Sequence, residues 1–155
     1  MKQIGLNPDL MKFIDKVGVF HETVGLPRIG GRILGLMIIA REPISPDEIA
    51  STLKVSRSSV STNLKGLKLF RLIEEIRIPG NRKEFYQFSE HAFENMIKMR
   101  LTTYDPFTEI LTEGLATLKK NKLPTGHIQN LMNYNTLEKN LYINLLKKIE
   151  KKGTG

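Results

Sequence analysis

The chain has 155 residues, 40% of them hydrophobic and 26% charged, with a formal net charge of +8. This composition is typical of a globular protein and argues against intrinsic disorder. Because the sequence contains no cysteine, a disulfide framework, a thiolate metal site and a cysteine nucleophile are excluded.

The positive charge is concentrated in one segment. Between Lys54 and Lys83, eight Lys or Arg residues stand against two acids, so this segment carries most of the net charge. Such a basic segment favours a polyanionic partner. No basic-then-apolar leader opens the chain, and its longest apolar run, at 33–40, is too short to span a bilayer. We therefore expect a cytoplasmic protein without a membrane partner.

Two helices are predicted before the connector at 42–44, which we expect to be extended. Asn7 and the proline after it predict the start of a first helix that continues to about residue 24. A second helix is predicted at about 27–41 despite three internal glycines, which indicate close packing against a neighbouring helix. A phosphate-binding loop is the alternative, but the Gly-Lys-Ser/Thr ending is missing. These glycines are Gly30, Gly31 and Gly35.

Residues 45–69 predict two helices joined by a tight turn. Ser45, followed by proline, and Glu48 match the capping box of a first helix, and Ser56 can cap the second. Apolar side chains recur at i, i+4 and i+7 in the second helix and predict a buried stripe. The stripe consists of Val60, Leu64 and Leu67.

The opposite side of this second helix carries short hydroxyls and one cation, namely Ser58, Ser61, Thr62 and Lys65. Short hydroxyls let a helix approach another surface closely, and they can bond phosphates or base edges. A helix-turn-helix places its second helix in the major groove of DNA. A Ser/Thr-rich surface helix without a partner is the alternative.

After residue 69 the pattern changes from helical spacing to partial alternation. Residues 72–78 and 83–88 predict two strands, and Pro79-Gly80-Asn81 predicts the turn between them. The hairpin tip suits a contact with the DNA backbone or minor groove, although a purely solvated hairpin is the alternative. The tip residues are Arg77, Asn81, Arg82 and Lys83.

Further helices are predicted at 90–104 and from 105 onwards with Asp105 as the cap. After a linker at 121–126, a final helix is predicted from about residue 128 or 136 to residue 152. Leu137, Leu141 and Leu145 repeat every four residues in the last of these helices. A broad apolar face on terminal helices suggests pairing with a second copy of the chain. Packing against the chain's own domain is the alternative.

Together, the helix-turn-helix, the basic hairpin and the flanking helices resemble the winged-helix regulators of the MarR superfamily, and within it the GbsR-type branch. The resemblance covers residues 13–88 and is carried by GLPRIGGRILGLMIIA, ISPDEIASTLKVSRSSVSTNLKGL and RIPGNRKEFYQF. It implies a mainly α fold with a small β-hairpin wing. Residues 1–104 would form the winged-helix DNA-binding domain, with the helix-turn-helix at 45–69 and the wing at 72–88, and residues 105–155 a helical dimerisation region.

The resemblance also implies a homodimeric regulator that binds double-stranded DNA sequence-specifically, with its recognition helix in the major groove and its wing on the backbone or minor groove. A winged-helix module for protein interactions within a transcription complex is the alternative function. The residues expected at the DNA are Arg57, Ser58, Ser59, Ser61, Thr62, Lys65, Lys68, Arg77, Asn81, Arg82 and Lys83.

Relatives in the GbsR-type branch respond to choline-like or other small molecules, which implies a possible small-molecule effector. Recognition of a quaternary ammonium group requires an aromatic cage. The candidate aromatics are Phe13, Phe20, Tyr104 and Phe107, each of which also has a core-packing explanation.

Catalytic and metal-binding patterns are missing from the sequence. The three histidines show no metal-ligand spacing, and no serine lies in a G-x-S-x-G context. We therefore expect neither an enzyme nor a cofactor.

Overall fold

The structure is a computed structural model that describes residues 6–152. This part of the chain forms seven α-helices and one two-stranded antiparallel sheet, in agreement with the predicted mainly α fold with a hairpin wing. The elements are α1 (Pro8–Thr23), α2 (Arg28–Ile39), α3 (Pro46–Leu53), α4 (Arg57–Leu69), β1 (Ile73–Arg77), β2 (Glu84–Phe88), α5 (Ala92–Leu101), α6 (Tyr104–Lys120) and α7 (Gly126–Lys152).

The helix starts follow local capping signals. The side chain of Asn7 accepts a hydrogen bond from the Leu10 N–H at 2.9 Å, and proline occupies the first turn of α1. Ser45 and Glu48 form the predicted capping box of α3, and the Ser56 hydroxyl caps α4. Each such cap stabilises its helix by about 1 kcal/mol, so short segments of this chain fix their own helix starts.

The chain divides into two compact units, of which the first ends at Ala92 and the second begins at Phe93. The boundary expected from the sequence lay between residues 104 and 105. The helix expected at 90–104 is also shorter, because α5 ends at Leu101. The hydroxyls of Thr102 and Thr103 donate to carbonyls of the preceding turn, an arrangement that competes with continued helix.

The first unit packs α1 to α4 and the hairpin around one apolar core, in which Ile14 and Ile33 are fully buried. Glycines allow its helices to approach closely. A Cβ atom at Gly35 would lie 3.2 Å from the Ile14 Cα of α1, and one at Gly30 would lie 3.0 Å from the Asn63 Oδ1 of α4. The prediction that the α2 glycines serve close packing is confirmed.

The hairpin is attached to the segment before the helix-turn-helix. Its strands pair in register from Ile73 opposite Phe88 to Arg77 opposite Glu84. The connector at 42–44 is extended, as expected, and Ile44 exchanges backbone hydrogen bonds of 2.8 and 2.9 Å with Tyr86. This bridge joins the start of α3 to the wing.

The second unit packs α6 against α7. Asn135 of α7 is buried and donates to the Thr108 hydroxyl at 2.8 Å and to the Tyr104 carbonyl at 3.3 Å. The expectation that Asp105 caps α6 is wrong, because the helix already begins at Tyr104. Asp105 lies in the first turn instead and forms an ion pair of 2.5 Å with Lys139 of α7.

Candidate nucleic-acid interface

Helix α4 is held in the first unit by one apolar side. Val60, Leu64 and Leu67 are at most 5% exposed and belong to the core, as the i, i+4, i+7 spacing predicts. Burying an aliphatic side chain of this size stabilises the fold by about 1.5–3 kcal/mol relative to leaving it in water. The three residues therefore fix which side of α4 faces outward.

The outward side of α4 carries the hydroxyls and the lysine that the sequence indicates. All four predicted side chains are exposed, so the predicted orientation of the helix is confirmed. They are Ser58, Ser61, Thr62 and Lys65. Ser59 differs from them because it is only half-exposed, and its backbone carbonyl accepts a hydrogen bond from the Asn63 side chain at 2.8 Å.

The wing extends from the first unit as an exposed basic tip spanning residues 77–84. Gly80 has a φ of 78°, which a glycine adopts without strain, and it forms the turn predicted at this position. The Asn81 side chain accepts a hydrogen bond from the Lys83 N–H at 3.0 Å. Asn81 therefore shapes the tip, and Arg82 projects beside it as an exposed cation.

Two carboxylates each pair with one cation of α4 and one cation of the wing. Asp47, in the first turn of α3, lies 3.0 Å from the Arg57 Nε and 3.8 Å from the Lys83 Nζ. Glu75 of β1 lies 2.5 Å from the Lys68 Nζ and 3.9 Å from the Arg77 Nε.

Within residues 6–152, by contrast, Lys54, Lys65, Arg71 and Arg82 form no ion pair.

The Glu75 pair also shifts a pKa. The hydrogen bond from Lys68 and the charge of that lysine, with a smaller contribution from Arg77, lower the pKa of Glu75. The Lys68 ammonium also lies 5.5 Å from the centre of the Tyr86 ring. Burial, together with the hydrogen bond to Glu84, raises the pKa of Tyr86 to about 12. The contacts of Lys68 with Glu75 and with the Tyr86 ring hold this side chain against the wing strands.

The second unit exposes a row of large apolar side chains on α6 and α7. Leu137 is 70% exposed and Leu141 is 65% exposed, although both are leucines of a well-formed helix. Tyr134 and Leu145 are exposed on the same side of α7, and Ile110 is exposed on α6; we call these five side chains the apolar face. Isolated exposed leucines are ordinary, but a row of this length on a monomer usually indicates an interaction site.

The four aromatic residues expected at a ligand are divided between the two units. Phe13 and Phe20 lie on α1 and are exposed, whereas Tyr104 is 2% exposed. The Arg100 guanidinium lies 5.4 Å from the centre of the Tyr104 ring.

Tyr104 and Phe107 contribute to a cavity of about 340 Å³ in the second unit. Its lining residues are Arg100, Thr103, Tyr104, Phe107, Leu131, Tyr134, Asn135 and Glu138.

Residues 6–152 provide neither a metal-ligand cluster nor a membrane-spanning helix. No group of three or more His, Asp or Glu side chains in this range is placed to hold a metal ion. None of its helices combines the length and the hydropathy needed to cross a bilayer.

Sequence reasoning missed the role of Asp47 in this surface. The residue was visible only as an acid in the first turn of α3, where it favours the helix dipole. Its neighbours Arg57 and Lys83 come from the next helix and from the wing, so only the folded chain brings the three together.

Comparison with known proteins gives the family of this chain. Residues 24–84 match the model of the MarR family. The HTH-type transcriptional regulator MmpR5 of Mycobacterium tuberculosis is 31% identical over 117 residues, which cover 75% of this chain and 71% of that protein. The HTH-type transcriptional repressor OpcR of Bacillus subtilis is 22% identical over 107 residues, or 69% of this chain and 56% of that protein.

A solved structure supports the fold. The crystal structure of a transcriptional regulator superposes with a TM-score of 0.81 at 24% sequence identity, covering 93% of this chain and 99% of that chain. The prediction that the chain is not an enzyme is confirmed, since the family consists of transcription regulators. The chain belongs to the MarR family of winged-helix transcription regulators.

Proposed function

We propose that the protein binds double-stranded DNA sequence-specifically, with α4 in the major groove. The observation that carries this proposal is the division of α4 into a buried apolar side and an exposed side of hydroxyls and a lysine. Ser61 and Lys65 are four residues apart and therefore form one row along the helix. Side chains of this kind can bond base edges in the major groove.

The cations around α4 supply phosphate contacts in this proposal. Lys65 and Arg82 form no ion pair within the described chain, so they can contact DNA without breaking one. Lys68 and Arg77 already pair with Glu75, so DNA phosphates would compete with this carboxylate for the two cations. The wing, with Arg82 at its tip, lies on the backbone or in the minor groove, where Arg is favoured.

We also propose that the protein acts as a homodimer through the apolar face of α6 and α7. Leu137 and Leu141 would be buried against a second copy, which explains their exposure in a single chain. Two recognition helices related by a two-fold axis would enter successive major grooves about 34 Å apart. The DNA target would then be roughly palindromic.

Within the family we assign the chain to the GbsR-type branch on the motifs quoted above, and we propose a small cationic effector. The cavity of about 340 Å³ is near the lower limit of ligand pockets and is lined by aromatic rings and by the Glu138 carboxylate. Arg100 already pairs with Glu138 at 3.1 Å, so a cationic ligand would compete with this guanidinium for the carboxylate. Choline should raise the melting temperature, whereas the uncharged isostere 3,3-dimethylbutanol should not. Phe107→Ala should abolish the shift, and equal shifts with both compounds would reject a cation site.

A salt series with two kinds of duplex tests the DNA-binding proposal. Binding to random duplexes should weaken steeply with salt, because each phosphate contact releases condensed counterions. Duplexes selected from a random library should bind more tightly than random ones at every salt concentration and share a roughly palindromic sequence. Salt-independent or absent binding would support the protein-interaction module instead.

A further inference from the structure

We propose that Asp47 is a specificity-determining positioning residue, which orients Arg57 toward a base edge and holds both Arg57 and Lys83 away from phosphates. This inference rests on the proposed DNA-binding function. It starts from one geometric fact: a single carboxylate of α3 lies 3.0 Å from the recognition helix's first side chain and 3.8 Å from the wing.

Arg57 occupies a position from which a base can be reached. It is the first residue of α4, and Ser61 and Lys65 follow it at i+4 and i+8 on the same row. Residues near the start of a recognition helix are those that contact base edges. Its side chain is 79% exposed, and within residues 6–152 its ion pair is with the Asp47 carboxylate.

The atoms that form the pair determine which side of the guanidinium stays available. The printed contact of the ion pair runs from Asp47 Oδ1 to the Nε of Arg57, on the side of the guanidinium, and not to the two terminal nitrogens, which form its end-on edge. That edge is the one that donates two parallel hydrogen bonds to guanine O6 and N7. In this proposal the attraction of Asp47 for the Nε side leaves the guanine-reading edge directed away from the carboxylate.

The second oxygen of Asp47 acts on the wing. Lys83 Nζ lies 3.8 Å from Oδ2, so one negative charge is shared by two cations on different elements. A carboxylate at this point also repels DNA phosphates and competes with them for both cations. On random DNA, where phosphate attraction supplies the binding, Asp47 should reduce affinity. On a specific site it should improve discrimination through Arg57.

The two effects have opposite signs, and Asp47→Asn separates them because the amide keeps the shape and removes the charge. We expect this variant to bind random duplexes about two- to fivefold more tightly at low salt, with a salt slope steeper by about one. Its preference for the guanine contacted by Arg57 should fall by at least about fivefold. Affinities for single-base variants of a selected duplex measure that preference.

Asp9→Asn is the matched control. Asp9 follows proline in the first turn of α1, as Asp47 does in α3, and forms no ion pair within residues 6–152. It should leave base preference unchanged and alter random-duplex affinity less than Asp47→Asn does. Arg57→Ala identifies the base pair concerned, and in that background Asp47→Asn should cause no further loss there.

Three results would overturn the inference. The first is an Asp47→Asn variant that matches Asp9→Asn in both random-duplex affinity and base preference. The second is a parallel fall in affinity for random and selected duplexes by a variant whose melting temperature is unchanged, which would show that the Asp47 charge does not oppose phosphate binding. The third is a loss of preference at a base pair that Arg57→Ala does not affect. If the unmodified protein failed to bind duplex DNA in a salt-dependent manner, the proposed function itself would be rejected.

Discussion

Gly31 of α2 lies directly against the imidazole of His21 on α1. A Cβ atom at Gly31 would be 2.7 Å from the His21 Cγ and 2.8 Å from the Val17 carbonyl oxygen. Because one of these neighbours is backbone, α1 and α2 would have to move apart to admit a methyl group. We predict that Gly31→Ala lowers the free energy of unfolding by about 1–3 kcal/mol, measured by urea denaturation.

Gly66→Ala is the control for this prediction. Gly66 also lies inside a helix, but a Cβ atom there would meet nothing within 4 Å. Alanine should stabilise α4 by up to about 1 kcal/mol through helix propensity alone. Equal changes in both variants would show that the close approach of α1 and α2 is not what Gly31 provides.

His21 should make the first unit sensitive to acid. Burial lowers the pKa of this imidazole below its ordinary value of 6.5, because the charged form loses hydration. Between the folded and unfolded pKa values the unfolded chain binds more protons, so stability is lost as pH falls below about 6.5. We expect the free energy of unfolding to decrease as the pH is lowered from about 7 through 6.5.

His21→Gln isolates this contribution, since glutamine keeps a polar side chain but does not titrate. The variant's absolute stability is expected to differ, so the comparison concerns only how steeply the free energy of unfolding changes with pH. A shallower dependence in the variant supports the prediction. If wild type and variant show the same dependence, other groups are responsible for the acid sensitivity.

The apolar face of α7 can be tested without disturbing the core. Leu141→Lys places a charge on a side chain that is 65% exposed, so the fold of each chain should be kept. In a homodimer the same charge would be buried at the interface, and we predict that the variant is monomeric at concentrations where the unmodified protein is dimeric. Sedimentation velocity measures the difference.

Asn140→Lys provides the matched charge one residue away. Asn140 is exposed but lies outside the row formed by Leu137, Leu141 and Leu145, so this variant should remain dimeric. If both variants keep the unmodified protein's oligomeric state, or both lose it, the apolar face is not the interface.

Much of the first unit could be predicted because its signals are local. The caps at Asn7, Ser45 and Ser56 act on N–H groups three residues later, so the sequence alone contains donor and acceptor. The buried stripe of α4 likewise follows from helical spacing. The outward side of α4 was therefore predictable, as were the strands and the turn of the wing.

What the sequence did not reveal depends on contacts between distant residues. The pairs that Asp47 makes with Arg57 and Lys83 require α3, α4 and the wing to be folded together. The end of α5 at Leu101 coincides with hydrogen bonds from the Thr102 and Thr103 hydroxyls to carbonyls of the preceding turn. Because threonine is also compatible with a continuing helix, the sequence does not indicate this end. The unit boundary at Ala92 has no local signal of its own.

The most direct test of the account compares Lys65→Ala with Arg82→Ala on single-base variants of a selected duplex. Lys65 lies on the outward side of α4 and should contact a base edge, so its removal is predicted to abolish discrimination at one or two positions, about 1–3 kcal/mol each. Arg82 at the wing tip should weaken binding to every duplex by a similar factor. A uniform loss from Lys65→Ala across all positions and on random DNA would contradict the claim that α4 reads the sequence.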